Sequence, residues 1–199
     1  MQQTVSMTNK QERLNPRKFN VWLLIVGSVM LFAGLTSAFI VRKAEGNWNE
    51  FELPSQFFYS VLVAVAGSIT MFIAYRAAKN DNIRVVQAGL GMTVVAGAAF
   101  AFLQYLGWMD LAERGVFFAP QSGAGRGSIS GSFVILLAAV HLAHLLGGLI
   151  FVIIVWIKSL MLKVHKKNLL SIDLCNTYWH FVGLLWVYLY LFLFFAPQF

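Results

Sequence analysis

Three histidines are the residues of this chain that could do chemistry within apolar sequence. His141 and His144 lie midway along one apolar segment, three residues apart on one helix face, and His180 lies in the next segment. Imidazoles in this setting are typical ligands of a metal or a haem. The fourth histidine, His165, lies in a basic stretch between the two segments, where we expect it to be solvated.

The depth of these histidines disfavours a shared metal. Both depths can be measured from the same side of the membrane, with span boundaries drawn from hydropathy. His144 then lies about 20 Å from the end of its span, and His180 lies only about 9 Å from the end of its own span. Metal–nitrogen bonds of about 2 Å leave no room for that difference. The apolar segments hold no carboxylate, and Cys175 is the single cysteine. We therefore expect no metal or haem site, and we expect these imidazoles to hydrogen-bond between helices.

Other polar and small residues in the apolar segments predict helix packing. Gln87 and Gln104 are expected to be interhelical hydrogen-bond partners, and small residues around them, with Gly147 and Gly148 in the following segment, should allow close helix approach. The glycine-rich run 123–127 follows no strand and lacks the Lys-Ser/Thr ending of a phosphate-binding loop. We expect that run to be an external loop.

Membrane-spanning helices are the elements that must position these residues. The chain has 199 residues, of which 59% are hydrophobic and 12% charged, whereas soluble domains carry about 25% charged residues. The composition therefore predicts an all-α integral membrane bundle, with residues 1–18 as an amino-terminal tail and residues 19–199 as one domain. Five segments are long enough to span the bilayer, namely Phe19–Val41, Gln56–Tyr75, Val85–Trp108, Ile129–Ile157 and Leu174–Ala196.

Charge predicts the orientation of the bundle and excludes two functions. Eleven of the 15 Lys and Arg residues fall on the face that holds the amino terminus. The positive-inside bias thus places that terminus in the cytoplasm and the carboxyl terminus in the periplasm. Because the cations lie at segment ends and form no single surface, the net charge of +7 does not indicate nucleic-acid binding. A proton pump or transporter would need a carboxylate within the spans. The five predicted spans hold none, which disfavours that function.

Two motifs resemble subunit III of the haem–copper oxidases in its five-span bacterial form. They are HLAHLLGG at 141–148 and YWHFVGLLW at 178–186, supported by weaker similarity at 28–39 and 104–108. The resemblance covers nearly the whole chain from Phe19. It implies packing or interface roles for His141, His144, Gly148, Tyr178, Trp179, His180, Phe181, Trp186 and Gln104.

The chain departs from this family at its carboxylate positions. Where family members carry an acid in the first span, near the end of the third, and after YWHFV, this chain has Ser28, Gly107 and Gly183. These departures put in doubt any role of buried acids in proton handling here.

The resemblance implies a non-catalytic structural subunit III of an aa3-type cytochrome c oxidase in the bacterial cytoplasmic membrane. It would pack against oxidase subunits I and II, which carry the haems and copper, and would bind phospholipid but no cofactor of its own. A small subunit IV and a larger respiratory supercomplex are further implied partners. The alternatives are a quinol oxidase subunit, an accessory protein of nitric oxide reductase, and a stand-alone membrane haem or quinone protein.

Overall fold

The computed structural model describes residues 16–44, 53–115, 129–162 and 169–195. Within these ranges the chain forms five α-helices and no strand. All five are long and apolar enough to cross a membrane, which confirms the predicted all-α, five-span fold. The helices are α1 (Pro16–Ala44), α2 (Ser55–Lys79), α3 (Ile83–Glu113), α4 (Ile129–Leu160) and α5 (Leu170–Phe195).

Each helix extends beyond the apolar segment that hydropathy marks at one or both ends, while α4 begins where predicted and α5 ends at Phe195. Thus α3 continues to Glu113, and α5 begins at Leu170. Hydropathy reports the part of a helix within hydrocarbon, whereas backbone hydrogen bonding continues into the polar headgroup layer. Between α2 and α3 the chain turns at Asp81, whose φ is 58°, and the Asn82 side chain accepts a hydrogen bond from the Val85 amide at 3.5 Å.

The helices pack as a four-helix core with one peripheral helix. The α2–α3 hairpin packs against α4 and α5, with α3 on α4 and α2 on α5. Among the described helices, α1 contacts only α4 and α5. Its buried stripe consists of Ile25, Ser28, Phe32, Thr36 and Phe39. Val21, Leu35 and Lys43 are half-buried, and the other residues of α1 are exposed on the outside of the bundle.

Two apolar clusters fill the bundle, one toward each membrane face. The first contains Trp186 and is rich in aromatic rings. The second contains Val152 and is built mostly from smaller side chains on α2, α3, α4 and α5. The α2–α3 contact depends on Gly89, because a Cβ at that position would lie 2.9 Å from the Cβ of Ala74. The predicted use of small residues to bring helices together is confirmed there.

Several sequence-based predictions fall outside the described residues. These are the loop character of 123–127, the setting of His165, and most of the tail predicted for 1–18, of which the last three residues belong to α1. The cytoplasmic placement of the amino terminus also stays a prediction, because the helices alone do not distinguish the two sides of a membrane.

Candidate functional site

His141 is enclosed by aromatic rings in the centre of the bundle. Its side chain is fully buried and stacks on Trp186, with ring centroids 4.9 Å apart and planes at 28°. Phe100 and Phe32 meet the imidazole edge-on, at 5.8 and 6.3 Å. Among the described residues neither ring nitrogen has a hydrogen-bond partner. The imidazole therefore acts here as a packing element joining α4 to α1, α3 and α5.

A buried polar network adjoins this aromatic cluster. Trp186 Nε1 donates a hydrogen bond to Ser60 Oγ at 2.8 Å, and Gln104 Nε2 donates to the same oxygen at 3.2 Å. The Ser60 hydroxyl in turn donates to the backbone carbonyl of Phe57 at 2.7 Å. One hydroxyl thus ties α2 to both α3 and α5, and Ser60 is a residue that no sequence motif singled out.

The prediction for both glutamines is confirmed. Gln104 joins α3 to α2 through Ser60, as described above. Gln87 Nε2 donates to the backbone carbonyl of Ser159 at 3.2 Å, and the Gln87 carbonyl accepts from Trp156 Nε1 at 3.0 Å, which joins α3 to α4. The two glutamines therefore hydrogen-bond α3 to different helices, α2 and α4, at different depths.

His144 and Tyr178 form a second contact between α4 and α5. His144 Nδ1 lies 2.8 Å from the Val140 carbonyl of its own helix, and its ring meets Phe32 at 5.4 Å. The Tyr178 hydroxyl donates to the backbone carbonyl of His144 at 3.2 Å. Gly148 makes room for Tyr178, because a Cβ at 148 would lie 3.1 Å from its ring.

Trp179 fills the junction of α2, α3 and α5. A Cβ on Gly97 would lie 2.9 Å from its ring, and one on Gly67 would lie 3.5 Å away. The indole is thus buried by glycines on two neighbouring helices. By contrast, a Cβ on Gly147 would meet nothing within 4 Å, so Gly147 makes no close helix contact within the described residues and that prediction is wrong.

His180 and Phe181 lie on the outer side of α5. His180 is half-buried and lines a groove between α2 and α5 that also contains Ser68 and Gly183. Phe181 lines a separate groove between α1 and α5, and its ring lies 6.4 Å from that of Tyr178. The structure therefore separates His180 from the two histidines of α4.

Within the described residues the histidines do not hydrogen-bond between helices, contrary to the expectation from sequence. His141 is surrounded by rings that offer no acceptor, and His144 uses its own helix carbonyl. His180 faces the α2–α5 groove. Spacing along a helix predicted which face these residues share, but the neighbours they meet on that face depend on packing.

In the described parts of the chain, no group of three or more His, Cys, Asp or Glu side chains is placed to hold a metal ion. Cys175 is buried among apolar side chains of α2, α3 and α4. Asp173, near the start of α5, accepts a hydrogen bond from Tyr75 at 2.9 Å, and Lys79 Nζ lies 4.3 Å from the centroid of the Tyr75 ring. This acid joins the start of α5 to α2.

The three positions at which the resemblance places acids hold small residues, and Gly107 has the tightest surroundings of the three. Ser28 is buried and donates to a backbone carbonyl one turn earlier at 2.8 Å. A Cβ on Gly107 would lie 2.5 Å from the ring of Phe57, and a Cβ on Gly183 would lie 3.1 Å from Ser68 Oγ. The contact between α3 and α2 at Gly107 therefore depends on the absence of a side chain there.

Comparison with known proteins gives consistent relatives, although no family model matches the chain. The chain is 24% identical over 174 residues to a protein of Bacillus sp. (strain PS3), covering 85% of this chain and 80% of the relative. It is 26% identical over 181 residues to one of Bacillus subtilis, covering 85% and 81%. A third relative, from Buchnera aphidicola, is 26% identical over 186 residues, covering 87% and 88%.

The fold and these relatives together define a multi-pass helical membrane protein related to oxidase subunits. The two Bacillus proteins are named cytochrome c oxidase subunit 3, and the Buchnera protein is named cytochrome bo(3) ubiquinol oxidase subunit 3. The resemblance to subunit III of the haem–copper oxidases, carried by the motifs at 141–148 and 178–186, is thereby confirmed.

Proposed function

We propose that the chain is a non-catalytic structural subunit III of an aa3-type cytochrome c oxidase in the bacterial cytoplasmic membrane. In this role it packs against the haem-bearing catalytic subunit and the copper-bearing subunit, and it supports oxygen reduction and proton pumping without a redox centre of its own. Its further partners are a small subunit IV and a larger respiratory supercomplex.

The observation that carries this proposal is how the mid-membrane polar groups are used. Trp186, Ser60 and Gln104 are bound to one another, and His141 is stacked within aromatic rings. Intramembrane polar residues of an enzyme or transporter would be expected to face a cavity or one another around a substrate path. These four residues instead join helices, which is the use expected of a structural subunit.

Phospholipid binding is part of the proposal and is supported by the outer surface. An apolar groove of about 290 Å³ runs between α1 and α5 and is lined by residues such as Val29, Phe181 and Tyr188. Because α1 contacts only α4 and α5 among the described helices, this groove stays open along the side of the bundle. Its apolar lining suits an acyl chain of a phospholipid.

The experiment is purification of the affinity-tagged chain from its native membrane in mild detergent, with mass spectrometry and a haem spectrum of the same sample. We expect a haem-bearing subunit and a copper-bearing subunit to co-purify, with bound phospholipid. Recovery of the chain without any oxidase subunit would contradict the proposal.

A second candidate is subunit III of a quinol oxidase, favoured by the Buchnera relative, whose name specifies ubiquinol. Oxygen uptake by the same purified complex distinguishes the two candidate functions. Oxygen uptake driven by reduced cytochrome c supports the first function, and uptake driven by ubiquinol but not by cytochrome c supports the second.

A further inference from the structure

Several side chains in one half of the bundle have buried polar atoms without a hydrogen-bond partner among the described residues. They are Gln56 Oε1 on α2, Gln104 Oε1 and Trp108 Nε1 on α3, and both ring nitrogens of His141 on α4. We call these residues the polar column. Leaving a buried polar atom unpaired is unfavourable. Their concentration in one region therefore indicates a partner that the described side chains do not supply.

Helix register brings the α2 and α3 members of the polar column together. In the antiparallel α2–α3 pair, Gln104 donates a hydrogen bond to Ser60, which fixes the register. One turn further along α3 lies Trp108, and one turn earlier on α2 lies Gln56, so these two residues share a level of the bundle. The indole donor and this glutamine oxygen thus lie about 6 Å along the helix axis from the Gln104 amide.

His141 lies at the inner end of the same group. Its imidazole meets the Phe100 ring edge-on at 5.8 Å, and Phe100 precedes Gln104 by one turn on the same face of α3. The imidazole also stacks on Trp186, which shares the Ser60 hydroxyl with Gln104. The imidazole and the Gln104 amide are therefore close neighbours across the α3–α4 contact, yet no hydrogen bond joins them.

The chemistry of these atoms fits water better than any other occupant. The polar column offers acceptors in its glutamine oxygens, a donor in its indole, and one of each in a neutral imidazole. Neither a cation nor an anion could satisfy that mixture. A lipid or a partner helix would not reach these atoms, because they are buried inside the bundle. Water both donates and accepts, and buried waters typically make about three hydrogen bonds to otherwise unpaired groups.

We propose that internal water molecules occupy the polar column. At its outer end they bridge Trp108 to Gln56, and at its inner end they join Gln104 to His141. Each water accepts from the indole or imidazole N–H and donates to a glutamine oxygen. The waters would thus hydrate an imidazole about 18 Å along α4 from the start of that helix. The site lies within this chain and does not depend on the proposed function.

Pulsed X-ray hydroxyl-radical footprinting with mass spectrometry tests this proposal, because radicals formed from internal water oxidise the side chains that contact it. The sample is the chain purified in mild detergent with the subunits that accompany it. His141 is the reporter, and Trp179 is the control within the same sample. Both are buried, but Trp179 borders an apolar cavity lined by residues such as Val63 and Leu145, which should stay dry.

We expect His141 to be oxidised several-fold faster than Trp179, although tryptophan is intrinsically the more reactive side chain toward hydroxyl radical. Equally slow oxidation of both would overturn the proposal and would show that the polar column closes by direct bonds between its members. This comparison uses the wild-type chain, so it decides the proposal even where a variant fails to fold.

A pair of glutamine variants tests the position of the water. Gln104→Leu removes the acceptor beside His141 and should slow its oxidation several-fold. Gln87→Leu is the matched control on the same helix, because the Gln87 side chain is already bonded to the Ser159 carbonyl and should leave His141 oxidation unchanged. Undiminished oxidation of His141 in a folded Gln104→Leu protein would contradict the proposed bridge.

Discussion

The indole of Trp186 contacts the rings of Phe57, Phe100 and His141 and donates a hydrogen bond to Ser60. It therefore joins α5 to α2, α3 and α4 through both apolar and polar contacts. Ring packing and the hydrogen bond can be separated experimentally, because a phenyl ring retains most of the first and none of the second.

Trp186→Phe should lower the free energy of unfolding by about 1 kcal/mol through loss of the donor to Ser60. Trp186→Ala should lower it by about 3–5 kcal/mol, because it also leaves a cavity among the three rings. Thermal or denaturant unfolding of the purified chain in detergent measures both, with Trp22→Phe at an exposed position of α1 as control. Equal losses for the two Trp186 variants would show that the packing explanation is wrong.

Gly107 lies where the structure leaves no room for a Cβ atom. Gly107→Ala should destabilise the fold by about 1–3 kcal/mol, because its Cβ would lie 2.5 Å from the Phe57 ring. Adding Phe57→Leu should recover part of that loss, since a smaller side chain can move away. Gly34→Ala on α1, where a Cβ meets nothing within 4 Å, is the matched control and should be neutral or slightly stabilising. A neutral Gly107→Ala would contradict the geometry.

At the scale of single residues, the sequence indicated which side chains need a partner in the membrane, but not which residue that partner is. Gln104 was recognisable as a polar group that needs a partner in the membrane, but Ser60 was not recognisable as that partner. The histidines show the same limit, since His141 proves to be stacked on Trp186 and not hydrogen-bonded between helices. Pairing across helices depends on rotation and depth of two helices at once, which the spacing within either helix does not encode.

Among the described helices, α2 and α3 share the most extensive contact, and glycine allows their close approach. Gly89 on α3 faces Ala74 and the Thr70 carbonyl on α2, and the hydroxyls of Thr70 and Thr93 lie 2.9 Å apart across the same interface. In a membrane, packing and interhelical hydrogen bonds of this kind replace the hydrophobic effect as the force between helices.

Gly89→Val should separate α2 from α3 at this point and weaken the Thr70–Thr93 hydrogen bond. We expect a loss of about 1–3 kcal/mol and reduced disulfide crosslinking between Thr70→Cys and Thr93→Cys introduced in that background. Gly147→Val is the matched control, because a Cβ there meets no described atom within 4 Å. Unchanged crosslinking in the Gly89→Val protein would contradict this description of the interface.

The positions of the helices were predictable because hydropathy alone marks spans of this length. Their ends were less predictable, as α3 shows by continuing from Trp108 to Glu113. In the headgroup layer polar residues remain helical, so composition changes before the helix ends. Which helices touch was not predictable from hydropathy, including the peripheral position of α1.

For the whole molecule, the charge bias predicts which ends face the cytoplasm. The α2–α3 turn should be cytoplasmic and the end of α3 external. Asn80→Cys and Glu113→Cys are exposed reporter positions, and the native Cys175 is buried. A membrane-impermeant thiol reagent should label Glu113→Cys in intact spheroplasts and Asn80→Cys only in inside-out vesicles. The reverse pattern would overturn the predicted orientation.

The central claim is that this bundle is a structural subunit whose polar groups hold helices together and which binds no redox centre itself. The most direct test is an absorption spectrum and metal analysis of the chain purified alone, beside the same measurements on the complex it co-purifies with. We expect the haem bands and the copper in the complex only. A Soret band or stoichiometric metal in the isolated, folded chain would contradict the claim.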